Sequence, residues 1–442
     1  MLNQKYHLSD GIKSKRLQVV EKNYQNNIVT DYTEKIKKLD QDFNYGHNSN
    51  HYWTEPEQSL FYGTPLYEVA SSSQKLALNH LWWGMMYSYV SYSEAETIDY
   101  NQITGDCFSA MGGKYKMIAD LLEHESEQER VHIHAFWKVN YQTIKALMGK
   151  EAFRKTSRQK LSQEPKAFKY MYQSLLLIAK IMLNRQESFY SPYFSKLEKE
   201  SKFDRAKTRG FFHGTGNIPS PWLRFFAFNW GSSPFLACQY YTVRYIANML
   251  LKNQEHSMSV YFRKINKQGQ FIPAPTAISY YHFLDESFHT TTSLFLGRDV
   301  YKNLPKPTTS EKIIINLAVY LAQLLNLQGI SGVKRGGFWG DDISGMNETY
   351  KIFRSRLFNM SSQEALHWLE KCYCQEHEGF HQSLSCHQRL LSDARKFCSQ
   401  LDYLWPVNRE MRLMAAGSSI EKTIQKNIKT FKLFSKSVAL EK

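Results

Sequence analysis

Apolar residues recur at helical spacing over several long stretches of this chain, and this pattern limits the fold more than any other feature. In the stretch that begins near Ser71, Leu78, Leu81, Met85 and Tyr89 follow one another at steps of three and four residues. Such steps place side chains on one face of an α-helix. The pattern predicts helices at about 71–104, 109–148, 166–186, 234–254, 276–297, 310–327, 361–374, 384–403 and 408–436.

These helices predict an all-α fold with three parts. Residues 1–70 are polar and loop-rich, so we expect an irregular N-terminal extension there. Residues 71–300 contain the longest helices and are expected to form the bundle. Residues 301–442 are expected to be a C-terminal helical part that packs on the bundle. The strand-like segments Met258–Arg263 and Gln270–Ile272 are few, and we expect them to form a small hairpin.

The charge balance and the cysteine spacing limit the class of protein. There are 56 Lys and Arg against 41 Asp and Glu, a net charge of +15 that favours an acidic partner or substrate. No signature of a nucleic-acid-binding motif appears, so nucleic acid is not expected as the partner. No apolar run approaches the roughly 18 residues that span a bilayer, and no signal peptide is expected. The six Cys are not spaced like a disulfide framework, which predicts a cytoplasmic protein.

Two units of carboxylate and imidazole carry the main chemical signal. Glu129 and His132 form a Glu-x-x-His unit in the second long helix, and His282, Glu286 and His289 follow one another in the fifth. Side chains three or four residues apart share a helix face, so each unit has the spacing to bind one metal ion. Two such units, with carboxylates from two more helices, build the dimetal site of ferritin-like bundles.

The surroundings of these units distinguish them from chance matches. The spelling Glu-x-x-His also occurs twice nearer the C-terminus, in more polar segments, so the spelling alone is weak evidence. The helix before Glu129 carries Glu94 and Glu96, and a turn near residues 105–109 would bring both level with Glu129. We expect one of these two to be a ligand. The alternative is that Glu129 and His132 face solvent among neighbouring acids.

Taken in order, these motifs resemble the ferritin-like dimetal-carboxylate family of p-aminobenzoate N-oxygenase. Within it, they are most similar to the cyanobacterial dimetal halogenases of cylindrocyclophane-type natural product biosynthesis. The resemblance covers about residues 70–300 and implies a ferritin-like bundle that holds two iron ions. One iron would take Glu94 or Glu96 with Glu129 and His132, and the other would take His282, Glu286 and His289, with a glutamate bridging the two.

One ligand position departs from the family pattern. The oxygenases have a carboxylate on the helix before the His-x-x-x-Glu-x-x-His helix, and counting back from the connecting loop places it at residues 239–244, where none is acidic. Glu255, at or beyond the predicted helix end, or Glu187 would complete an ordinary site. A missing carboxylate would leave a less negative metal position that accepts a halide, which favours a halogenase.

The resemblance implies an O2-dependent di-iron halogenase that chlorinates an unactivated carbon of a fatty acyl chain. Its partners would be chloride, an external electron donor and an acidic acyl carrier protein that bears the substrate. The alternative is a di-iron oxygenase, either a hydroxylase or an N-oxygenase, that incorporates no halide. A remote alternative is a zinc metalloprotease, because His377, Glu378 and His381 spell His-Glu-x-x-His.

Overall fold

The computed structural model describes residues 15–153, 191–199, 229–327, 329–336 and 339–439. Throughout these residues the regular structure is helical, without a strand, so the predicted all-α helical bundle is confirmed. The α-helices of the described part are α1 Lys15–Val29, α2 Thr33–Asp42, α3 Tyr45–Asn48, α4 Pro65–Val69, α5 Ser72–Met111, α6 Lys116–Met148, α7 Pro192–Lys199, α8 Pro234–Lys267, α9 Ala274–Arg298, α10 Thr309–Asn326, α11 Ile343–Arg354, α12 Ser362–Cys374, α13 Glu378–Cys398, α14 Pro406–Arg409, α15 Arg412–Gly417 and α16 Ile420–Ala439.

Two antiparallel helix pairs form the centre of the bundle. α5 packs along α6, and a short connection joins them through Gly112 and Gly113, whose φ angles of 68° and 54° glycine adopts without strain. α8 packs along α9, and residues 268–273 join them. α5 also contacts α8, and α6 contacts α9. The four helices therefore enclose a common interior.

Capping residues fix where two of these helices begin. The Ser71 hydroxyl accepts a hydrogen bond from the Gln74 backbone N–H, and the Gln74 side chain accepts one from the Ser71 backbone N–H. At the start of α8 the Ser233 hydroxyl accepts a hydrogen bond from the Leu236 backbone N–H, and Pro234 lies in the first turn. These groups satisfy backbone N–H groups that have no partner within a helix. The side chains of α5 and α8 are thereby held at defined heights in the bundle.

The hairpin predicted at Met258–Arg263 and Gln270–Ile272 is wrong. α8 continues to Lys267, so the first segment is helical, and the second lies in the connection to α9. Met258, Phe262 and Ile265 are buried at steps of four and three residues, which is the stripe of a helix face. The polar run at residues 252–257 interrupts the apolar pattern of α8, so the periodicity predicted a helix end before this stripe.

The N-terminal part has more regular structure than the predicted irregular extension. α1 packs on α9 and α6, and α2 packs on α6 and α9. Their narrow apolar stripes contain Leu17, Val20 and Ile36, which are buried, while most of their other positions are polar. The sequence did not predict these helices, because each packs on the bundle through only a few apolar residues and the rest of its positions are polar. The division of the chain into three domains stays a prediction.

The C-terminal part differs in detail from its prediction. The helix predicted at 408–436 is three helices, because Met411 adopts a left-handed φ of 52° and α15 ends at Gly417. α11 was not predicted. The helix predicted at 166–186 lies outside the described residues, as does Glu187. None of the helices in the described part is both long and apolar enough to cross a membrane.

Candidate metal centre

Acidic and imidazole side chains from three helices meet in the interior of the bundle. Five of them each offer an oxygen or nitrogen atom, and these atoms all lie within 4.8 Å of one another. His289 adjoins this group, with its Nδ1 atom 2.7 Å from Glu286 Oε1 and 3.3 Å from Glu129 Oε1. All of these residues are buried. The group of five comprises Glu94 of α5, Glu129 and His132 of α6, and His282 and Glu286 of α9.

Only one of the two candidate glutamates of α5 faces this interior. Glu94 Oε1 lies 2.8 Å from His282 Nε2. Glu96 is only partly buried and lies outside the group. Residues two apart on a helix point in directions about 200° apart, so both cannot face the same centre. The structure brings Glu94 together with the other predicted ligands, and Glu96 lies outside this group.

A further carboxylate, Glu255, enters the site from the middle of α8. Its Oε1 atom lies 2.5 Å from His282 Nδ1 and accepts a hydrogen bond of 2.8 Å from the Tyr87 hydroxyl. Because α8 continues to Lys267, the position level with His282 is residue 255 and not residues 239–244. The predicted position at residues 239–244 is therefore wrong, and the carboxylate that lies at the site is Glu255, one of the two alternatives that the sequence left open. The error arose because the sequence predicted that this helix ends at residue 254.

Arg244 of α8 neutralises part of the negative charge. Its Nη1 atom lies 2.7 Å from Glu125 Oε2, and its Nη2 atom lies 3.4 Å from Glu129 Oε1. All three side chains are buried. Burial lowers the pKa of Arg244, but the neighbouring carboxylates, Glu125 first, outweigh burial. The pKa therefore lies above its usual value, and the guanidinium stays charged.

Burial and crowding shift the pKa values of the carboxylates. Burial, together with Glu129 and Glu286, raises the pKa of Glu94 well above its usual range. Burial likewise raises the pKa of Glu255, and the Tyr87 hydroxyl opposes that rise. Burial is the main cause of both rises, and repulsion from Glu286 adds to it in both residues.

The imidazoles respond in opposite directions. Burial would lower the pKa of His132, but its hydrogen bonds to Asp285 and Glu129 raise that pKa to about 9. In His282, burial and the adjacent His132 lower the pKa to about 3, so this ring is neutral at pH 7. A neutral imidazole presents a lone pair, which is the form that binds a metal ion.

The donor set could hold a metal ion. Oε2 of Glu94 and Oε2 of Glu255 are buried and have no hydrogen-bond partner within the described part of the chain. Buried carboxylates without a counter-charge cost several kcal/mol each, which bound cations would remove. Mixed carboxylate and imidazole ligands suit iron, manganese and zinc. Against the one guanidinium of Arg244 stand the carboxylates of Glu94, Glu125, Glu129, Glu255, Asp285 and Glu286.

Comparison with known families gives the class of this protein. The chain matches the family model described as acyl halogenase, CylC-like, over residues 15–435. The chain belongs to the CylC-like acyl halogenase family. It is therefore a member of a family of enzymes. The predicted resemblance to the cylindrocyclophane-type halogenases is confirmed. The comparison with curated proteins gave no match, and neither did the comparison with solved structures.

In this acyl halogenase family member, the His-Glu-x-x-His spelling does not assemble a metal site. His377 precedes α13 with extended backbone angles, and its Nε2 atom bonds to the Cys372 carbonyl oxygen. His381 is exposed and pairs with Glu376. Within the described part of the chain, the group around Glu94 is the one that could hold a metal ion. The zinc metalloprotease alternative is therefore without a metal site at these residues.

Several residues that support the candidate ligands were not found from the sequence. Glu125 and Gln128 precede Glu129 on α6, and Asn27 of α1 pairs with Gln128. The signal for Glu125 was present, because residue 125 lies one helical turn before Glu129 on the same face. Asn27 gave no such signal, because its role depends on where α1 packs.

Proposed function

We propose that this acyl halogenase family member is a di-iron, O2-dependent enzyme that chlorinates an unactivated C–H carbon of a fatty acyl chain carried by an acidic acyl carrier protein. The observation that carries the proposal is the buried group of carboxylates and imidazoles on α5, α6 and α9, in a chain that belongs to an acyl halogenase family. The proposed ligands are those of the ferritin-like arrangement, with Glu255 added.

The proposed ligands divide between two positions. One iron would take Glu94, Glu129 and His132, and the other would take His282, Glu286 and His289, with Glu129 lying between the two imidazole-bearing faces. Glu129 supports this division, because its Oε2 atom lies 3.3 Å from His132 Nδ1 and its Oε1 atom lies 3.3 Å from His289 Nδ1. When bound, the iron ions supply the redox chemistry with O2 and chloride that side chains lack.

Aromatic side chains close one side of the site against water. The ring of Phe136 lies 4.9 Å from the ring of His282, and the ring of Tyr87 lies 5.9 Å from it. Trp83 continues this wall, with its ring 4.3 Å from that of Tyr87. All three aromatic residues are fully buried. Exclusion of water protects reactive species and strengthens every electrostatic interaction in the site.

The net charge of +15 supports an acidic carrier protein as the partner. Opposite net charges accelerate the encounter of two proteins, and added salt screens that attraction. We therefore expect turnover of a carrier-bound substrate to fall as ionic strength rises, more than turnover of a small neutral analogue of the same acyl chain.

The experiment is a single-turnover assay with iron-loaded, reduced protein, O2, chloride and an acyl carrier substrate. Intact mass of the carrier should show a gain of one chlorine in place of one hydrogen, with the chlorine isotope pattern, and bromide in place of chloride should shift that mass. The Glu129→Gln variant is the matched control and should leave the substrate unchanged. A product that gains oxygen and no halogen in the parent would overturn the halogenase proposal.

The second candidate is a di-iron oxygenase, either a hydroxylase or an N-oxygenase, and Glu255 favours it. The sequence-based argument for a halide site was an absent carboxylate on α8, and a carboxylate is present there. The halogenase proposal therefore depends on family membership and not on a missing ligand. The same assay distinguishes the two candidates by the product mass.

A further inference from the structure

The two imidazoles that flank Glu129 have different hydrogen-bond partners behind them. His132 Nδ1 faces Glu129, and its Nε2 atom lies 3.2 Å from Asp285 Oδ2. Asp285 Oδ1 in turn accepts a hydrogen bond of 3.3 Å from the backbone N–H of Tyr32, in the connection between α1 and α2. A carboxylate in this position fixes the ring and makes its other nitrogen a stronger ligand.

His289 has a neutral amide in the equivalent place. Its Nδ1 atom faces Glu286 and Glu129, and its Nε2 atom lies 3.0 Å from Gln128 Oε1. Because the amide oxygen only accepts, Nε2 carries the proton and Nδ1 keeps its lone pair toward the carboxylates. The orientation of the Gln128 amide therefore decides which nitrogen of His289 can bind a metal.

Asn27 of α1 holds that amide in place. Asn27 Nδ2 donates to Gln128 Oε1 at 3.0 Å, and Gln128 Nε2 donates to Asn27 Oδ1 at 2.9 Å. Both side chains are almost fully buried, with exposed fractions of 1%. α1 is attached to α9 as well, because Asn23 Nδ2 donates to the Phe288 carbonyl oxygen and to Thr292 Oγ1.

We propose that α1 helps to form the metal centre. Asn27, acting through Gln128, is a positioning residue that sets how tightly the metal position bearing His289 binds its ion. This inference rests on the proposed two-metal site. It assigns a role to an N-terminal helix outside the four central helices. It also makes the two positions chemically unequal, because Asp285 supports His132 with a full negative charge and Gln128 supports His289 with a dipole.

The test is an anaerobic equilibrium titration of the full chain with Co2+, followed by ligand-field absorption and calorimetry. The parent should bind two Co2+ ions. In Asn27→Ala, one of the two dissociation constants should rise about 10- to 100-fold while the other is unchanged. Gln128→Glu places a carboxylate behind His289, so the same dissociation constant should fall, by about tenfold. Asn26→Ala, an exposed neighbour on α1, is the matched control and should follow the parent.

The titration separates this inference from the function on which it rests. A parent that binds no Co2+ contradicts the proposed metal centre itself. A parent that binds two ions, with both dissociation constants shifted by the same factor in Asn27→Ala, overturns the inference, because it means general loosening of the fold. Unchanged affinities in both Asn27→Ala and Gln128→Glu overturn it as well.

Discussion

Arg244 lies between two buried glutamates and balances the charge of both. Its guanidinium contacts Glu125 and Glu129 at the 2.7 Å and 3.4 Å distances given above, and water does not reach the three side chains. The net energy of such an arrangement is small, because the cost of desolvation offsets the attraction. Removing one partner is different, because the remaining charges have neither solvent nor a counter-charge.

We therefore expect Arg244→Met to lower the free energy of unfolding of the metal-depleted protein by about 3 kcal/mol or more. Urea unfolding, followed by circular dichroism, measures this. The double variant Arg244→Met with Glu125→Gln should recover part of the loss, because it also removes one of the unpaired charges. An unchanged urea midpoint in the single variant would contradict the role assigned to Arg244.

His80 of α5 gives a second prediction at the scale of single residues. Its ring stacks on Trp53, its Nδ1 atom bonds to the Tyr45 hydroxyl, and its Nε2 atom donates to the His51 carbonyl oxygen. Burial lowers the pKa of His80 to about 4, although the His51 carbonyl opposes this. Between pH 6.5 and pH 4 the unfolded chain takes up a proton here that the folded chain does not, so stability falls as the pH falls.

From pH 7 to pH 5, His80 should cost about 2 kcal/mol of stability. His80→Gln removes the titrating group, so its unfolding free energy should fall less over this interval than that of the parent. Urea unfolding at a series of pH values measures the difference. His367→Gln, at an exposed histidine, should follow the parent, and equal slopes for parent and His80→Gln would disprove the assignment.

At the scale of helices, α8 and α9 approach closely where Gly297 meets Thr242. A Cβ atom at Gly297 would lie 2.8 Å from Thr242 Oγ1 and 2.9 Å from the Thr242 backbone nitrogen. Real contacts of this kind are longer, so a side chain would push the two helices apart. Gly105 of α5 offers a contrast, because its nearest neighbour would be Ala119 Cα at 3.9 Å.

We expect Gly297→Ala to destabilise the protein by about 1–3 kcal/mol through overpacking. Gly105→Ala should be neutral or stabilise it by up to about 1 kcal/mol, because alanine is the better helix former where space is available. Thermal unfolding of the two variants under one set of conditions makes the comparison. A Gly297→Ala variant as stable as Gly105→Ala would show that the two helices do not meet as described.

The long helices could be predicted from the sequence, but the details of the site could not. Periodic apolar residues predicted α5, α6 and α9, and the spacing of Glu129, His132 and the α9 motif predicted which of their side chains meet. The choice between Glu94 and Glu96 depends on the rotation of α5, which packing decides. The contribution of Glu255 depended on the end of α8, and helix ends in polar segments are weakly encoded.

For the whole molecule, the proposed cations would offset the charge of the buried carboxylates and so stabilise the folded state. An ion that binds only the folded chain stabilises it, by about 2.7 kcal/mol at a free concentration one hundred times the dissociation constant. We expect removal of the metal by a chelator to lower the unfolding temperature, and added Fe2+ to restore it. The effect should vanish in Glu129→Gln, whereas the parent and His381→Ala should respond alike.

Metal analysis of the purified chain tests the central claim most directly. The parent, reconstituted with Fe2+ without oxygen and then desalted, should hold about two irons per chain. The Glu129→Ala/His289→Ala double variant should lose both, and the His377→Ala/His381→Ala double variant should keep both. A parent that retains no iron, or one whose bound metal disappears only on changing His377 and His381, would contradict the account.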